Sequence, residues 1–147
     1  MTLALDELAA RLESAWSPKS ATTWKADNPA LGQCSVTALV VHDLLGGCIL
    51  KTRLGAGWHF YNWIDGQRLD LTATQFQRPV AYEDLPATRD EAFSDTSTEQ
   101  YQALRSAVLG CFVSRTSGAS VLDPLRTFRP DLARRAATRR SRIHCSE

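Results

Sequence analysis

Three side chains in the first half of this sequence are of the types that cooperate in covalent acyl chemistry: Cys34, His59 and Asp70. Cys34 ends the step Gly32-Gln33-Cys34, His59 follows 25 residues later, and Asn62 and Asp70 come after it. A cysteine attacks a carbonyl as the thiolate. It needs a neighbouring imidazole to take its proton and an acid to orient that imidazole.

Each residue also has a plain structural reading. Free cysteine is among the most buried residue types, so Cys34 can be a core thiol. At the start of a helix, free backbone N–H groups and the helix dipole would instead favour its thiolate. Gln33 either offers its amide to an oxyanion beside the Cys34 backbone N–H or satisfies the surrounding loop. His59 is either the base or a solvent-facing strand histidine. His42 lies eight residues beyond Cys34 on one helix, about 12 Å along the axis, and is set aside. His144 sits in a basic tail. Elimination leaves His59 as the candidate base.

The elements around these residues decide whether they can meet. Leu5, Leu8, Leu12 and Trp16 recur at helical spacing and predict an amphipathic helix over 6–16, ended by Ser17-Pro18. Residues 19–31 read as a loop anchored by Trp24. From Cys34 onward, Val36, Ala38, Leu39, Val40, Val41, Leu44 and Leu45 are apolar nearly all round. That predicts a helix buried on most faces and stopped by Gly46-Gly47.

Strands are expected at 48–54, 57–64 and 68–72, the last two joined by Asp65-Gly66, a strong hairpin signal. A two-residue turn pairs Ile64 with Gln67 and puts His59 and Asp70 on one face as diagonal neighbours, about 7–8 Å apart at the backbone. A three-residue turn would put them on opposite faces. Residues 75–88 contain Pro79 and Pro86 and read as irregular. A last helix is expected over 98–109, opened by Ser97 and Gln100 as a capping box and closed by Gly110. The fold class is therefore α+β, with a nucleophile-bearing central helix packed on a small antiparallel sheet and helices covering one face.

At 147 residues, with 44% hydrophobic and 22% charged, the chain suits one globular domain. Its longest apolar stretch, near 38–41, falls far short of the ~20 residues of a membrane span. The N-terminus carries Asp6, Glu7 and Glu13 and no basic start. Neither a membrane segment nor a secretory signal is expected, and the location expected is cytoplasmic. Cys34, Cys48, Cys111 and Cys145 form no C-x-x-C pair. Four independent thiols are expected, with no metal and no cofactor.

The net charge of +1 is unevenly spread. Residues 1–110 hold nine Lys/Arg and thirteen Asp/Glu, a net of −4; residues 111–147 hold eight Arg and three Asp/Glu, a net of +5. The folded domain is read as 1–110. Residues 111–147 are a basic extension, partly helical or flexible, available to dock on the acidic domain in cis or in a homodimer. It has little aromatic interleaving beyond Phe128, and nucleic acid is not an expected partner.

These residues carry a family resemblance. Gly32-Gln33-Cys34 resembles the nucleophile step of transglutaminases, His59-Phe60-Tyr61-Asn62 their His-x-x-Asn strand, and Asp70-Leu71-Thr72 the Asp-x-Thr that closes their triad. The chain is more closely similar to the YunG-like family of bacterial proteins. It shares Asn28 to Cys34, Thr37 to Asp43, Gly46 to Leu50, His59, Asp70 to Thr72 and Gln75-Phe76 with that family, over residues 10–108. The resemblance implies a papain-like, transglutaminase-like core. The His59–Asp70 spacing is shorter than in the transglutaminase hairpin, and the domain is smaller, without substrate-gripping insertions.

The expected function is a small cysteine-dependent amidase or acyl-transfer protein. Cys34 attacks, His59 moves the proton, Asp70 orients His59, and Gln33 and Asn62 support the oxyanion. Trp58 and Tyr61 contact a small-molecule or peptide acyl substrate. Water as acceptor gives hydrolysis; an amine gives acyl transfer. The alternative is a non-catalytic small-molecule or peptide binding module on the same scaffold. It would use the hairpin aromatics Trp58, Phe60, Tyr61 and Trp63 as a platform, unless those rings simply build the core.

Overall fold

A computed structural model describes residues 4–113 of the chain, with side chains as far as Gly110. Helix α1 (Leu5–Ala15) leads through a turn-rich segment to α2 (Cys34–Leu45). Strands β1 (Cys48–Leu54), β2 (Gly57–Ile64) and β3 (Gln67–Leu69) follow as an antiparallel meander. A 3-10 turn (Ala73–Gln75), strand β4 (Leu85–Ala87) and helices α3 (Arg89–Ser94) and α4 (Thr98–Val113) complete the described residues. The sheet order is β3-β2-β1-β4, every neighbour antiparallel. This is an α+β fold built on a small antiparallel sheet.

Helix α2 lies at the centre because it has almost no polar face. Ser35, Val36, Thr37, Ala38, Leu39, Val40, Val41 and Leu44 are all buried. Val36, Val40, Val41 and Leu44 pack on Leu8 and Leu12 of α1 and Leu104 and Val108 of α4. Ala38 and Leu39 meet Ile49, Phe60, Ala87 and Ala92 on the sheet side. Removing such side chains from water contributes about 1.5–3 kcal/mol each and fixes the helix between two layers. Two polar contacts add direction. The Trp16 indole donates to Thr37 Oγ1 at 2.9 Å, and the Asn62 amide donates to the Ala38 carbonyl at 3.0 Å.

The other sheet face is covered by the chain between β3 and β4. Tyr82 from this segment packs against a cluster of Cys48, Leu50 and Tyr61. The Tyr61 hydroxyl donates to Asp84 Oδ1 and accepts from the Asp84 backbone N–H, both at 2.9 Å. Sequence reading left 75–88 irregular and missed β4. Pro86 removes a ladder donor, but β4 is an edge strand where that loss is tolerated. It also missed α3, although Thr88 and Glu91 form a capping box.

Three further expectations are corrected. Strand β3 ends at Leu69 rather than residue 72, because Asp70 turns out of the ladder to bind other groups. Helix α4 passes through Gly110 to Val113, since one glycine costs about 1 kcal/mol and does not end a helix by itself. Cys48 is disulfide-bonded rather than independent, a pairing that depends on Cα separation in space and not on spacing in sequence. Cys34 is the free thiol among the described residues. Residues 114–147, most of the expected basic extension, lie outside the described residues.

The Asp65-Gly66 turn has positive φ at both positions, 51° and 77°, and pairs Ile64 with Gln67 as the two-residue reading requires. Gly47 also needs positive φ, 73°, and a Cβ there would stand 2.3 Å from the Trp63 carbonyl oxygen. Gly55 has φ 59° with open space around it. Gly47→Ala is therefore expected to cost more than about 2 kcal/mol in urea unfolding, and Gly55→Ala only about 1–2 kcal/mol. Equal losses at the two sites would show that the Gly47 contact with β2 does not constrain the fold.

Candidate active site

Cys34 is the first residue of α2, so the free N–H groups of the helix start surround it. The chain reaches this point through Gly32 at φ 75°, where a Cβ would sit 2.0 Å from Thr23 Oγ1. Only glycine fits that approach. Gln75 ties the step down: its Oε1 accepts from the Gly32 N–H at 3.3 Å, and its carbonyl accepts from the Asn28 amide at 3.1 Å.

The thiol faces the β2 edge that β3 does not cover. β3 pairs with β2 at Asn62, Trp63 and Ile64, which leaves Phe60 beyond the end of the pairing. The Phe60 backbone N–H bonds to the Cys34 sulfur, and the His59 ring lies against it. Burial opposes a thiolate there. The His59 hydrogen bond, the Phe60 N–H, the His59 charge and the Ser35 hydroxyl outweigh it and hold the thiol below its ordinary value.

His59 is buried, with a side chain 2% exposed, and its Nε2 lies 2.6 Å from Asp70 Oδ2. Nδ1 makes no conventional hydrogen bond and is the ring atom left for Cys34. Phe76 meets the ring edge-on at 4.8 Å and Tyr61 stacks at 5.8 Å, so the imidazole has little room to turn. Burial disfavours the imidazolium, but Asp70 and Cys34 prevail and raise His59 to about 9.

Asp70 is held by four donors. Oδ2 takes His59 and the Tyr82 hydroxyl at 2.8 Å; Oδ1 takes the Thr72 backbone N–H at 3.2 Å and its hydroxyl at 3.3 Å. Burial pushes its pKa up, yet His59, Tyr82 and Thr72 keep it below the ordinary carboxylate value.

The structure thus brings Cys34, His59 and Asp70 together. Gln33, beside Cys34, is fully buried with neither amide atom hydrogen-bonded. With Gln75 Nε2, that makes three buried polar atoms around one step of chain with no hydrogen-bond partner among the described residues. Unpaired buried groups of this kind cost about 1–3 kcal/mol each and concentrate where a structure serves a ligand or a reaction.

Asn62 is elsewhere. Its amide is spent on the Ala38 carbonyl, so it braces α2 against β2 rather than an oxyanion. Tyr61 is buried with its hydroxyl held by Asp84, a position behind His59 that does not fit substrate contact. Phe60 is buried as well; only Trp58 and Trp63 of the hairpin aromatics are partly exposed. Sequence reading missed Tyr82 and Gln75 as supports. Their contacts cross 12 and 43 residues of chain, beyond any local pattern.

The described residues match a family model, YunG protein, over residues 4–112. The chain belongs to the YunG family. It is 51% identical over 96 residues to the uncharacterised protein YunG of Bacillus subtilis (strain 168), a match covering 65% of this chain and 84% of that protein. No solved structure matches it. No helix among the described residues is long and apolar enough to cross a membrane. The YunG match includes Cys34, His59, Asp70, Gln75 and Tyr82 within its span.

Asp70→Asn removes the charge that keeps the His59 ring protonated while leaving the ring buried. His59 is expected to titrate well below about 9, at or under the ordinary imidazole value of about 6.5, by NMR of its ring protons. A His59 titration unchanged by the substitution would show that Asp70 does not set its charge.

Proposed function

We propose that this YunG-family protein is a cysteine-dependent acyl-transfer enzyme, an amidase or transferase acting through Cys34, His59 and Asp70 on a papain-like core. The observation that carries the reading is the buried His59–Asp70 pair at 2.6 Å with its free ring nitrogen on the Cys34 side. Such a pair stabilises imidazolium, and imidazolium beside a thiol stabilises thiolate.

The steps follow from the groups present. The Cys34 thiolate adds to the carbonyl carbon, a C–S bond forms, and the carbonyl π electrons move to oxygen. The Cys34 backbone N–H and the unpaired Gln33 amide are the donors assigned to that oxyanion. The tetrahedral centre collapses, the leaving group departs with the His59 proton, and a thioester remains on Cys34. Water or an amine then attacks the thioester, His59 takes its proton, and the thiolate leaves with the product acyl group released. Asp70 stays ionised throughout and holds the ring with Nδ1 toward the sulfur.

The pH dependence of alkylation tests this. Cys34, lowered, should react with iodoacetamide at about pH 6, where an ordinary thiol of pKa ~8.5 is nearly inert. Peptide mapping separates Cys34 from the other cysteines. His59→Ala is expected to move the rise in reactivity up to the ordinary thiol range. A wild-type Cys34 that labels only above about pH 8.5, with no effect of His59→Ala, would sink the proposal.

A further inference from the structure

The face of β2 that receives α2 continues past the thiol. Phe60 and Trp58 alternate on that face, two residues apart, so the Trp58 side chain stands one strand repeat, about 7 Å, beyond the N–H that touches Cys34. Trp58 is partly buried and packs on the same cluster as Cys34. Two cations cover its ring. Arg53, its cross-strand partner, has its guanidinium carbon 4.4 Å from the ring centroid, and Lys51 Nζ lies 4.6 Å away.

The two cations differ in what else they hold. Lys51 is ion-paired with Glu91. Arg53 is exposed, and its guanidinium forms no ion pair among the described residues. The Glu83 carboxylate is bound by the Arg53 backbone N–H at 2.9 Å and by the Thr52 hydroxyl. The cation–π contact with Trp58 keeps the guanidinium over the ring, and its N–H groups make no side-chain ion pair with another described residue.

We infer that Arg53, held on Trp58, is a specificity residue that selects acyl substrates bearing a carboxylate on the Trp58 side of the reacting carbonyl. The inference rests on the reading of Cys34 as the nucleophile. A guanidinium held over an aromatic ring, with no ion pair to another described residue, matches a planar carboxylate in charge and in bidentate geometry, while the Lys51–Glu91 pair at the same ring adds no net charge. The positive end of α2 at Cys34 acts in the same direction. The substrate class is therefore an acidic amide or ester, such as an acyl group that is part of an acidic amino acid or peptide.

Two alkylating agents of nearly equal shape read this directly on the full chain. Iodoacetate carries a carboxylate where iodoacetamide carries a neutral amide; in both, the Cys34 thiolate forms the C–S bond and iodide leaves. The ratio of their rates at Cys34 reports the selection of an anion. Arg53→Gln is expected to lower that ratio at least about threefold at low salt, Arg53→Lys to retain most of it, and added salt to shrink the wild-type ratio. Arg105→Gln is the control, because Arg105 pairs with Asp43, nine residues along α2 and about 13 Å from Cys34. A ratio that Arg53→Gln leaves unchanged, with Cys34 still reacting rapidly with iodoacetamide at about pH 6, overturns the inference and spares the enzyme reading. Slow, ordinary-thiol reaction with both agents overturns the two together.

Discussion

A buried carboxylate governs this structure. Asp70 sits with a side chain 5% exposed, where an uncompensated charge would cost several kcal/mol. Its ionised form persists because four donors from three residues converge on it. Two come from Thr72 in its own turn, one from Tyr82 in the segment that covers the sheet, and one from His59 on β2. Much else follows from satisfying that charge. Strand β3 stops at Leu69 so that Asp70 can turn inward, and the shortened strand leaves the β2 edge open at Phe60. The start of α2 then occupies the open edge.

The same accounting explains how the helix start is held. Gly32 allows a close approach to Thr23, Gln75 binds the backbone on both sides of the loop, and Asn62 fastens the first turns of α2 to the sheet through Ala38. These contacts are all satisfied. Beside the sulfur, both Gln33 amide atoms and Gln75 Nε2 are buried without a hydrogen-bond partner among the described residues.

The opposite end of α2 is organised differently. Asp43 is bound by Arg89 at 2.8 Å and by the Tyr101 hydroxyl, with Arg105 at 3.9 Å, and Arg89 also meets His42 Nδ1 at 3.0 Å. Burial and the Arg89 charge depress the His42 pKa, the reverse of His59. This network joins α2, α3 and α4 and completes its own bonding. One helix thus carries a structural polar cluster at its C-terminal end and an open one at its N-terminal end.

Much of this was legible in the sequence because it is local. The apolar run from Val36 to Leu45 determines a buried helix beginning at Cys34, and Asp65-Gly66 determines a two-residue turn, hence a register that puts His59 and Asp70 on one face. Turn chemistry and side-chain periodicity act over a few residues, so they survive reading in one dimension. Only the tertiary structure decided what those residues touch. It assigned Asn62 to the helix and not to the site, buried Tyr61 behind His59, recruited Tyr82 and Gln75, and paired β4 with β1 despite Pro86. Each of those outcomes is a competition among distant groups for burial and hydrogen bonds, and no spacing along the chain records who wins it.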